Sequence, residues 1–324
     1  MPENKTAEVP AEEKTEQLSP KERLKEITAN IEEGIKQLFD TDKYKQYLKT
    51  MSQFHRYSLN NTMLIYMQKP DATMVAGFDK WKDKFQRHVG KGEKGIKIIA
   101  PVPHTVKRSR EKIDPDTKAP IMDKDGNPVM EEVEVKVPQF RVVSVFDVSQ
   151  TEGKELPSIG ADELTGDVRE YRSMYKALVR TCPVAIVMEE IEGGAKGYYN
   201  DTDKRIAILA GMSEMQTIKT IIHEMAHQKM HGEENADPEH PVDRRTKEVE
   251  AESVAYTVCQ HLGLDTSDYS FGYIAGWSST RDTKELKASL ERIRSASDEL
   301  ITEIDKNLEH FRKREQEKLR GEER

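Results

Sequence analysis

Two histidines flank a short segment that reads His-Glu-Met-Ala-His at 223–227. Side chains four residues apart lie one turn apart on the same face of an α-helix, so both imidazoles can reach one metal ion. A catalytic zinc ion usually has three protein ligands, and His223 and His227 would supply two of them. Zinc lowers the pKa of a water molecule to about 7, and Glu224 could take up that water's proton and later pass it to a leaving amine. The spacing predicts a zinc-dependent peptidase centre.

The segment around these residues has few helix breakers, and its periodicity predicts a helix at about 214–231. Apolar residues form one arc of the helical wheel, and both histidines lie at the edge of that arc; its members are Met215, Ile222, Ala226 and Met230. A ligand pair at the rim of an apolar face is where a cleft is expected. The alternative interpretation is a pair of surface histidines on a solvated helix.

The third ligand is expected from the next predicted helix, at about 246–263. Three glutamates compete there, and periodicity does not separate them; they are Glu248, Glu250 and Glu252. Asp243 or Glu252 could instead orient a ligating histidine.

Two further histidines follow the motif, but they lie in an acidic, proline-containing stretch. We expect His231 and His240 to be solvated rather than bound to metal. A metzincin would need glycine and histidine at positions where this chain has Met230 and Glu233, so that class of metallopeptidase is excluded.

Positive charge is concentrated in the first half of a chain whose formal net charge is -8. Residues 80–112 contain eleven Lys or Arg and three acidic residues, with aromatic residues in and before this range. Bases stack on aromatic rings and lysines neutralise phosphates, so this composition favours single-stranded nucleic acid as a partner. The alternative is that the rings belong to a core, which we expect for Phe54, Phe78 and Phe85, and that the lysines form a solvated face.

Composition limits the remaining possibilities. The chain has 324 residues, 35% hydrophobic and 34% charged, and no apolar run long enough to span a membrane. Its N-terminal residues contain no apolar signal region. The two cysteines, Cys182 and Cys259, lie in no metal-binding spacing and fit a reducing compartment. We therefore expect a cytoplasmic protein without a membrane partner.

Secondary-structure patterns indicate an α+β protein. Helical periodicity follows Ser19-Pro20, and alternating or continuous apolar runs predict strands at 131–137 and 140–148, after a polar loop at 103–128. A hairpin is predicted at 197–209, where two apolar segments flank Asn-Asp-Thr-Asp.

The metal motif has a second part. Twenty-three residues after His227, the chain reads Glu-Ala-Glu-Ser-Val-Ala at 250–255. The two parts together resemble the ImmA/IrrE-type metallopeptidases of the gluzincin kind, whose second motif reads Glu-Ala-x-x-Phe-Ala. The resemblance implies that Glu250 is the third zinc ligand. It also implies a sheet edge along which a peptide substrate can lie, bound through main-chain groups.

A second resemblance covers the first half of the chain. Its motifs are Tyr-Ser-Leu-Asn-Asn at 57–61, Gln-Lys-Pro-Asp-Ala-Thr at 68–73, Gly-Phe-x-x-Trp at 77–81, Val-Gly-Lys-Gly-Glu-Lys-Gly-Ile at 89–96 and Val-Phe-Asp-Val-Ser-Gln-Thr at 145–151. They resemble the N-terminal domain of ArdC-type antirestriction and LtrC-like proteins of conjugative elements. The resemblance implies single-stranded DNA binding by the first domain and a zincin fold in the second. The DNA contacts that we predict are Tyr57, Asn60, Asn61, Trp81, Lys82, Arg87, Lys91 and Lys94.

We therefore predict an N-terminal α+β single-stranded-DNA-binding domain, a gluzincin-like metallopeptidase domain and a C-terminal helical tail. The predicted boundaries are 1–20 for a disordered segment, 21–155 and 156–282 for the two domains, and 283–324 for the charged helical tail.

The predicted function is that of a mobile-element protein active in antirestriction or conjugation. Its predicted partners are single-stranded DNA and a protein or peptide substrate, with Zn²⁺ as cofactor. Two alternatives stay open. One is a DNA-binding antirestriction protein whose zinc site is structural or vestigial, and the other is a repressor-cleaving protease that does not bind DNA.

Overall fold

Helices and strands are mixed along the chain, which confirms the α+β class. The computed structural model describes residues 19–102, 104–156, 168–235, 241–267, 269 and 271–322. The helices are α1 (Pro20–Gln37), α2 (Thr41–Gln53), α3 (Leu59–Gln68), α4 (Phe78–Asp83), α5 (Val168–Thr181), α6 (Glu214–His231), α7 (Arg244–His261), α8 (Ile274–Ser278) and α9 (Thr283–Glu322). The strands are β1 (Val75–Ala76), β2 (Arg87–Val89), β3 (Ile96–Pro101), β4 (His104–Glu111), β5 (Met130–Val137), β6 (Phe140–Asp147), β7 (Thr151–Gly153), β8 (Ala185–Glu189), β9 (Gly197–Asn200) and β10 (Arg205–Leu209).

Contacts within the chain divide it into two units. The first consists of the described residues up to Ala29 together with Ile99–Val142, and the second of Asn30–Ile98 together with the described residues from Val143 onwards. This division does not follow the predicted boundaries at 155 and 282, which stay predictions. Of the segment 1–20 that was predicted to be disordered, residues 1–18 lie outside the described residues, and Pro20 already belongs to α1.

The first unit contains an antiparallel hairpin of β4 and β5, aligned from His104 opposite Val137 to Glu111 opposite Met130. The prediction of a polar loop at 103–128 was therefore wrong for the residues of β4. Their side chains are nearly all exposed and lack an apolar face, so the pattern carried no strand signal.

The N-terminal part of the second unit packs around a small sheet with strand order β1-β6-β3. Its core cluster consists of Phe54, Ile65, Ala72, Val75, Ile96, Ile98 and Val145. The buried carboxylate of Asp147, at the end of β6, accepts hydrogen bonds from the backbone N–H groups of Thr73 (2.8 Å), Met74 (3.1 Å) and Ser149 (2.9 Å). Asp147 thereby joins the chain entering β1 to the turn that follows β6.

Helices from distant parts of the sequence pack together in the second unit. The hydroxyls of Tyr44 on α2 and Ser253 on α7 are 2.8 Å apart and buried. The segment predicted as a charged tail contains α9, which packs against α5 and α7. It buries one face, formed by Leu286, Leu290, Ile293, Ala296, Leu300, Ile301, Ile304 and Leu308.

A second three-stranded sheet has the order β8-β10-β9. Strand β10 is parallel to β8 and antiparallel to β9, which confirms the predicted hairpin at 197–209. Strand β9 lies at the edge of this sheet, next to α6. No helix in the described part of the chain is both long and apolar enough to cross a membrane.

Candidate metal centre

Helix α6 positions the His-Glu-x-x-His motif. The helix begins at the cap residue Ser213, whose hydroxyl accepts a hydrogen bond from the Gln216 N–H (3.3 Å), and Ile222 and Ala226 of its apolar face are buried. The side chains of His223 and His227 are 23% and 18% exposed, as expected for residues at the rim of that face. The predicted helix and the shared face of the two histidines are confirmed.

Three ligand atoms converge at this rim. The Nε2 atoms of His223 and His227 are 3.1 Å apart, and Oε2 of Glu248 lies 3.9 Å and 3.6 Å from them, respectively. Zinc bonds of about 2.0–2.1 Å in a tetrahedral arrangement place ligand atoms about 3.3–3.4 Å from each other. Two imidazoles and one carboxylate at these separations therefore fit a divalent transition metal such as zinc.

Burial favours the metal-binding form of His223. Burial, together with the neighbouring His227, lowers the pKa of His223 to about 4, so its ring is neutral at physiological pH. A neutral imidazole offers a lone pair to a cation, whereas a protonated one does not. A carboxylate oxygen of Glu252 lies 3.5 Å from Nδ1 of His223, on the side away from the ligand cluster.

The geometry brings Glu248, and not the predicted third ligand Glu250, next to the two histidines. Residues two apart on a helix are about 200° apart around its axis, so the two carboxylates point to opposite sides of α7. Glu250 is 0% exposed and accepts hydrogen bonds from Ser289 (2.6 Å) and Arg292 of α9. The second motif pointed to Glu250, but packing against α9 holds this carboxylate away from the two histidines.

His231 is also not where the sequence indicated. It is the last residue of α6, and its side chain is only 5% exposed, with Nε2 3.1 Å from Oε2 of Glu250. The expectation that it is solvated was wrong because α7 packs against this end of α6 and places the buried Glu250 next to the ring. His240 lies outside the described residues. Asp243 is the N-cap of α7 and pairs with Arg281, so its hydrogen bonds are made away from the histidines.

Glu224 lies within the same site and is largely buried, with 7% of the residue exposed. Burial raises the pKa of its carboxyl to about 7, against a hydrogen bond from the backbone N–H of Tyr199 that lowers it. A carboxyl with a pKa near 7 can both accept and release a proton at neutral pH. This is the property that a general base, and later a general acid, requires.

A cleft of about 990 Å³ opens onto these residues. Its walls are formed by β9, α6 and α7, and it is lined among others by Gly197, Tyr199, His223, Glu224, His227 and Glu248. Along an antiparallel pair of strands, every second residue exchanges main-chain hydrogen bonds with the partner strand. The carbonyl of Lys196 accepts from the Leu209 N–H of β10. The main-chain groups of Gly197 and Tyr199, one and three residues further on, therefore point away from β10. A side chain at Gly197 would come within 2.7 Å of Thr220 on α6, so glycine permits the strand to lie close to that helix.

Of the predicted DNA contacts, Trp81 is buried, and Arg87 is held by hydrogen bonds within the protein. Trp81 is 0% exposed, and its Nε1–H donates to the backbone oxygen of Phe146 (2.8 Å), so its ring cannot stack on a base. The guanidinium of Arg87 donates to the side chain and backbone oxygens of Thr151 (both 2.7 Å) and to the backbone oxygen of Lys154 (2.6 Å). These corrections follow from packing of β7 and β6 that no local pattern shows.

The other predicted contacts are at least partly accessible. Lys82, Lys91 and Lys94 are exposed, and Asn60 and Asn61 are partly exposed at the start of α3. Tyr57 is half-buried and meets Phe54 edge to face, with ring centroids 5.7 Å apart. None of these positions is tested by a bound nucleic acid, and they stay predictions.

Phe78 is an aromatic residue that the sequence interpretation misplaced. It was expected in the core together with Phe54, but 55% of Phe78 is exposed, whereas Phe54 is 4% exposed. Phe78 and Trp81 are both in α4, one turn apart. A segment of six residues has too little periodicity to predict which of the two rings is buried. The exposed ring is therefore the better candidate for stacking.

Part of the positive charge at 80–112 is balanced by acidic residues of β5. On β4, three basic residues and one acidic residue lie opposite three acidic residues and one basic residue of β5. Lys107 lies 3.6 Å from Glu132, and Arg110 lies 2.9 Å from Glu131. The hairpin therefore carries no net charge, and the unbalanced positive charge is that of residues 80–97.

Comparison with known proteins identifies relatives of both halves. Residues 19–146 match the family described as the N-terminal domain of the anti-restriction factor ArdC. An uncharacterized protein of Bacillus anthracis is 31% identical over 335 aligned positions, which cover 93% of this chain and 55% of that protein. The chain thus spans about half of the length of this curated relative.

Two crystal structures of the antirestriction ArdC protein from plasmid R388 are also similar. The metal-free structure is 19% identical with a TM-score of 0.43, covering 79% of this chain and 85% of that one. The Mn(II)-bound structure is 16% identical with a TM-score of 0.49, covering 88% of this chain and 97% of that one.

Proposed function

This chain is an ArdC-type protein through its N-terminal domain, and from this premise we propose that it is a DNA-binding antirestriction protein of a mobile element that also carries a zinc-dependent peptidase site. The family supports the DNA-binding and antirestriction parts of this proposal. The peptidase part is supported by the residues of the cleft.

One observation carries the peptidase proposal. The side chains of His223, His227 and Glu248 converge within bonding range of one ion, and the buried Glu224 lies in the same cleft. Structural zinc sites are usually closed by four protein ligands, whereas this cluster has three among the described residues and faces an open cleft. A three-ligand site beside a proton-accepting carboxylate is the arrangement that hydrolysis requires.

Each group has a defined part in the proposed reaction. A bound zinc ion supplies Lewis acidity, which lowers the pKa of a water molecule to about 7 and polarises a carbonyl group. Glu224 accepts a proton from the attacking water and delivers it to the nitrogen of the leaving amine. The outward main-chain groups of Gly197 and the outward carbonyl of Tyr199 on β9 are in position to pair with an extended peptide, as an added strand.

The DNA-binding part rests on residues 80–97. Seven Lys or Arg and two acidic residues lie in this range, and Lys80, Lys82, Lys84, Lys91 and Lys94 are exposed. Exposed lysines neutralise phosphates without reading sequence, and the ring of Phe78 can stack on an unpaired base. We therefore expect binding to single strands with little sequence preference and strong salt dependence.

Metal analysis and one substitution test the peptidase proposal. Purified protein should contain about one zinc per chain after exposure to zinc, with Mn(II) tested in parallel because the plasmid R388 protein has been crystallised with that ion. Glu224→Gln should retain the metal but lose hydrolysis of a quenched fluorescent peptide mixture by about 10²–10⁴-fold. The matched control is Glu303→Gln on the exposed surface of α9. A protein that binds zinc but hydrolyses no more than Glu224→Gln excludes the peptidase.

A second candidate function is supported by one contact. The Tyr199 N–H, at the open edge of β9, already donates a hydrogen bond to Glu224. The backbone group that would bind a peptide and the carboxylate that would accept a proton are therefore bonded to each other. This favours an antirestriction protein in which the metal site stabilises the fold. In that case, protection of incoming DNA from restriction in cells should survive Glu224→Gln but fail when the exposed lysines of 80–97 are neutralised.

A further inference from the structure

A row of polar contacts leads from the metal cluster into the protein. Since Nε2 of His227 faces His223 and Glu248, its Nδ1 points the other way, and lies 3.2 Å from Nδ1 of His231. Nε2 of His231 then lies 3.1 Å from Oε2 of Glu250. The two histidine rings are 5.4 Å apart between centroids and are one turn apart on α6.

Only one arrangement of protons satisfies this row when a metal is bound. A metal at Nε2 of His227 leaves that ring's proton on Nδ1, where it can only donate. Nδ1 of His231 must then accept, which places the proton of His231 on Nε2. That proton is donated to Glu250, an ionised carboxylate that only accepts. Every hydrogen bond in the row is thereby satisfied in one direction, from the metal ligand to Glu250.

The carboxylate at the end of the row is held by α9. The Glu250 side chain is 0% exposed, and it accepts hydrogen bonds from His231 of α6 and from Ser289 and Arg292 of α9. Ser289 Oγ lies 2.6 Å and Arg292 Nε 3.0 Å from Oε1, and the second nitrogen of the Arg292 guanidinium also bonds that oxygen. Arg292 Nε also lies 3.3 Å from Oε2, the oxygen that His231 reaches, so α9 fixes the orientation of the carboxylate that faces the histidine.

We infer that His231, Glu250 and Arg292 are positioning residues that orient His227 for metal binding, so that the C-terminal helix sets the metal affinity of the cleft. The inference rests on the proposed metal site and extends it to residues that touch neither metal nor substrate. Its physical basis is that a hydrogen bond from the non-ligating nitrogen fixes the ring orientation and raises the basicity of the ligating one.

Zinc affinity measured by chelator competition tests this inference. Arg292→Met removes the anchor of Glu250, and His231→Phe removes the acceptor for His227; each should weaken zinc binding by about 10–100-fold. The matched control is Arg294→Met, since Arg294 is on the same helix and pairs with Glu291 (2.6 Å) away from the row. That variant should bind zinc as tightly as the wild type does.

Two further measurements distinguish the positioning role from a purely structural one. The thermal unfolding temperature of metal-free protein reports any loss of fold, and the visible spectrum of the Co(II)-loaded protein reports the ligand geometry. If Arg292→Met fails to fold, His231→Phe and the nitrogen-15 chemical shifts of wild-type His231 decide, with Nε2 protonated and Nδ1 unprotonated as the expected tautomer.

The outcomes distinguish this inference from the proposed function. If the wild-type protein binds no divalent metal, the proposed metal site is excluded. Wild-type protein that binds zinc, with affinity and Co(II) spectrum unchanged in folded Arg292→Met and His231→Phe variants, overturns only the positioning role. A proton on Nδ1 of His231 in the zinc-loaded protein also overturns it.

Discussion

Glu248 and Glu250 lie two residues apart on α7, and their carboxylates have different surroundings. Oε2 of Glu248 is 3.6 Å from Nε2 of His227, at the half-exposed edge of the cleft. The carboxylate of Glu250 is fully buried between α6 and α9, where it bonds His231 and Arg292. The first is in position to bind a metal directly, and the second can reach the site only through His231.

Glu248→Gln should therefore weaken zinc binding most strongly among the carboxylate variants. An amide oxygen is a weaker ligand than a carboxylate, and the site is left with two histidines. We expect a loss of at least about 100-fold in zinc affinity, against roughly 10–100-fold for variants that act through another residue. Titration of the metal-free protein with zinc in the presence of a competing chelator measures it. Unaltered zinc affinity in Glu248→Gln would contradict the assignment of the third ligand.

Replacement of Lys82, Lys91 and Lys94 together by alanine should weaken binding of a labelled single-stranded oligonucleotide. The logarithm of the affinity falls with the logarithm of the salt concentration, with a slope of about −0.7 for each neutralised phosphate. Loss of three phosphate contacts should therefore make this slope less steep by about 2. At moderate salt the affinity should fall by at least tenfold, as fluorescence anisotropy would show. Alanine at three other exposed lysines, Lys25, Lys306 and Lys313, is the charge-matched control. Equal slopes in the two triple variants would exclude residues 80–97 as the DNA surface.

Trp81 and Phe78 should exchange the roles that the sequence indicated for them. Trp81→Ala should lower the free energy of unfolding by about 3–5 kcal/mol, because it empties a fully buried site and leaves the Phe146 carbonyl without its donor. Phe78→Ala should change stability by less than about 1 kcal/mol but weaken single-strand binding by about 1–3 kcal/mol, the value of one stacked base. Urea unfolding and anisotropy measure the two effects. A folded Trp81→Phe variant that loses DNA binding while Phe78→Ala retains it would reverse this assignment.

Asp147 should make the N-terminal fold sensitive to acid. Burial would raise its pKa, but hydrogen bonds from Ser149, Thr73 and Met74 outweigh it, so the folded-state pKa lies below the ordinary value of 3.8. A lowered pKa means that the stabilisation is present above pH 3.8 and is lost as the pH falls through the folded-state pKa. Asp147→Asn should cost about 2 kcal/mol at pH 7, and this difference should shrink below pH 3.8.

The control for Asp147 is Asp71→Asn, because Asp71 is largely exposed and pairs with Lys69 (2.8 Å). That surface pair should contribute less than about 1 kcal/mol at any pH. Urea denaturation at several pH values compares the variants. A pH-independent difference between wild type and Asp147→Asn would show that the carboxylate charge has no part in the stabilisation.

Some features could be predicted because short-range spacing determines them. Ser19 caps α1 by accepting from the Glu22 N–H (3.3 Å), as the Ser-Pro pair indicated. The hairpin of β9 and β10 follows from turn residues between two apolar segments. In each case the interacting groups are within a few residues of each other, so the chain has few alternatives.

Other features depended on partners that are distant in sequence. Arg292 binds Glu250 from 42 residues further along the chain, and nothing in the pattern of α7 indicates which of its faces meets α9. The exposed β4 had no apolar periodicity, and its pairing with the acidic residues of β5 became visible only in the hairpin register. Burial of Trp81 likewise depends on β6, whose residues follow it by more than fifty positions.

The amino-acid sequence by itself determined that His223 and His227 share a helix face with Glu224 between them, because the rise and rotation of an α-helix leave no other arrangement. The tertiary structure decided which glutamate completes that cluster and which one is held away from it. Both glutamates suit the same helix, and the difference arises only from what packs on either side of it: α6 with its histidines on one side, and α9 with its arginine on the other.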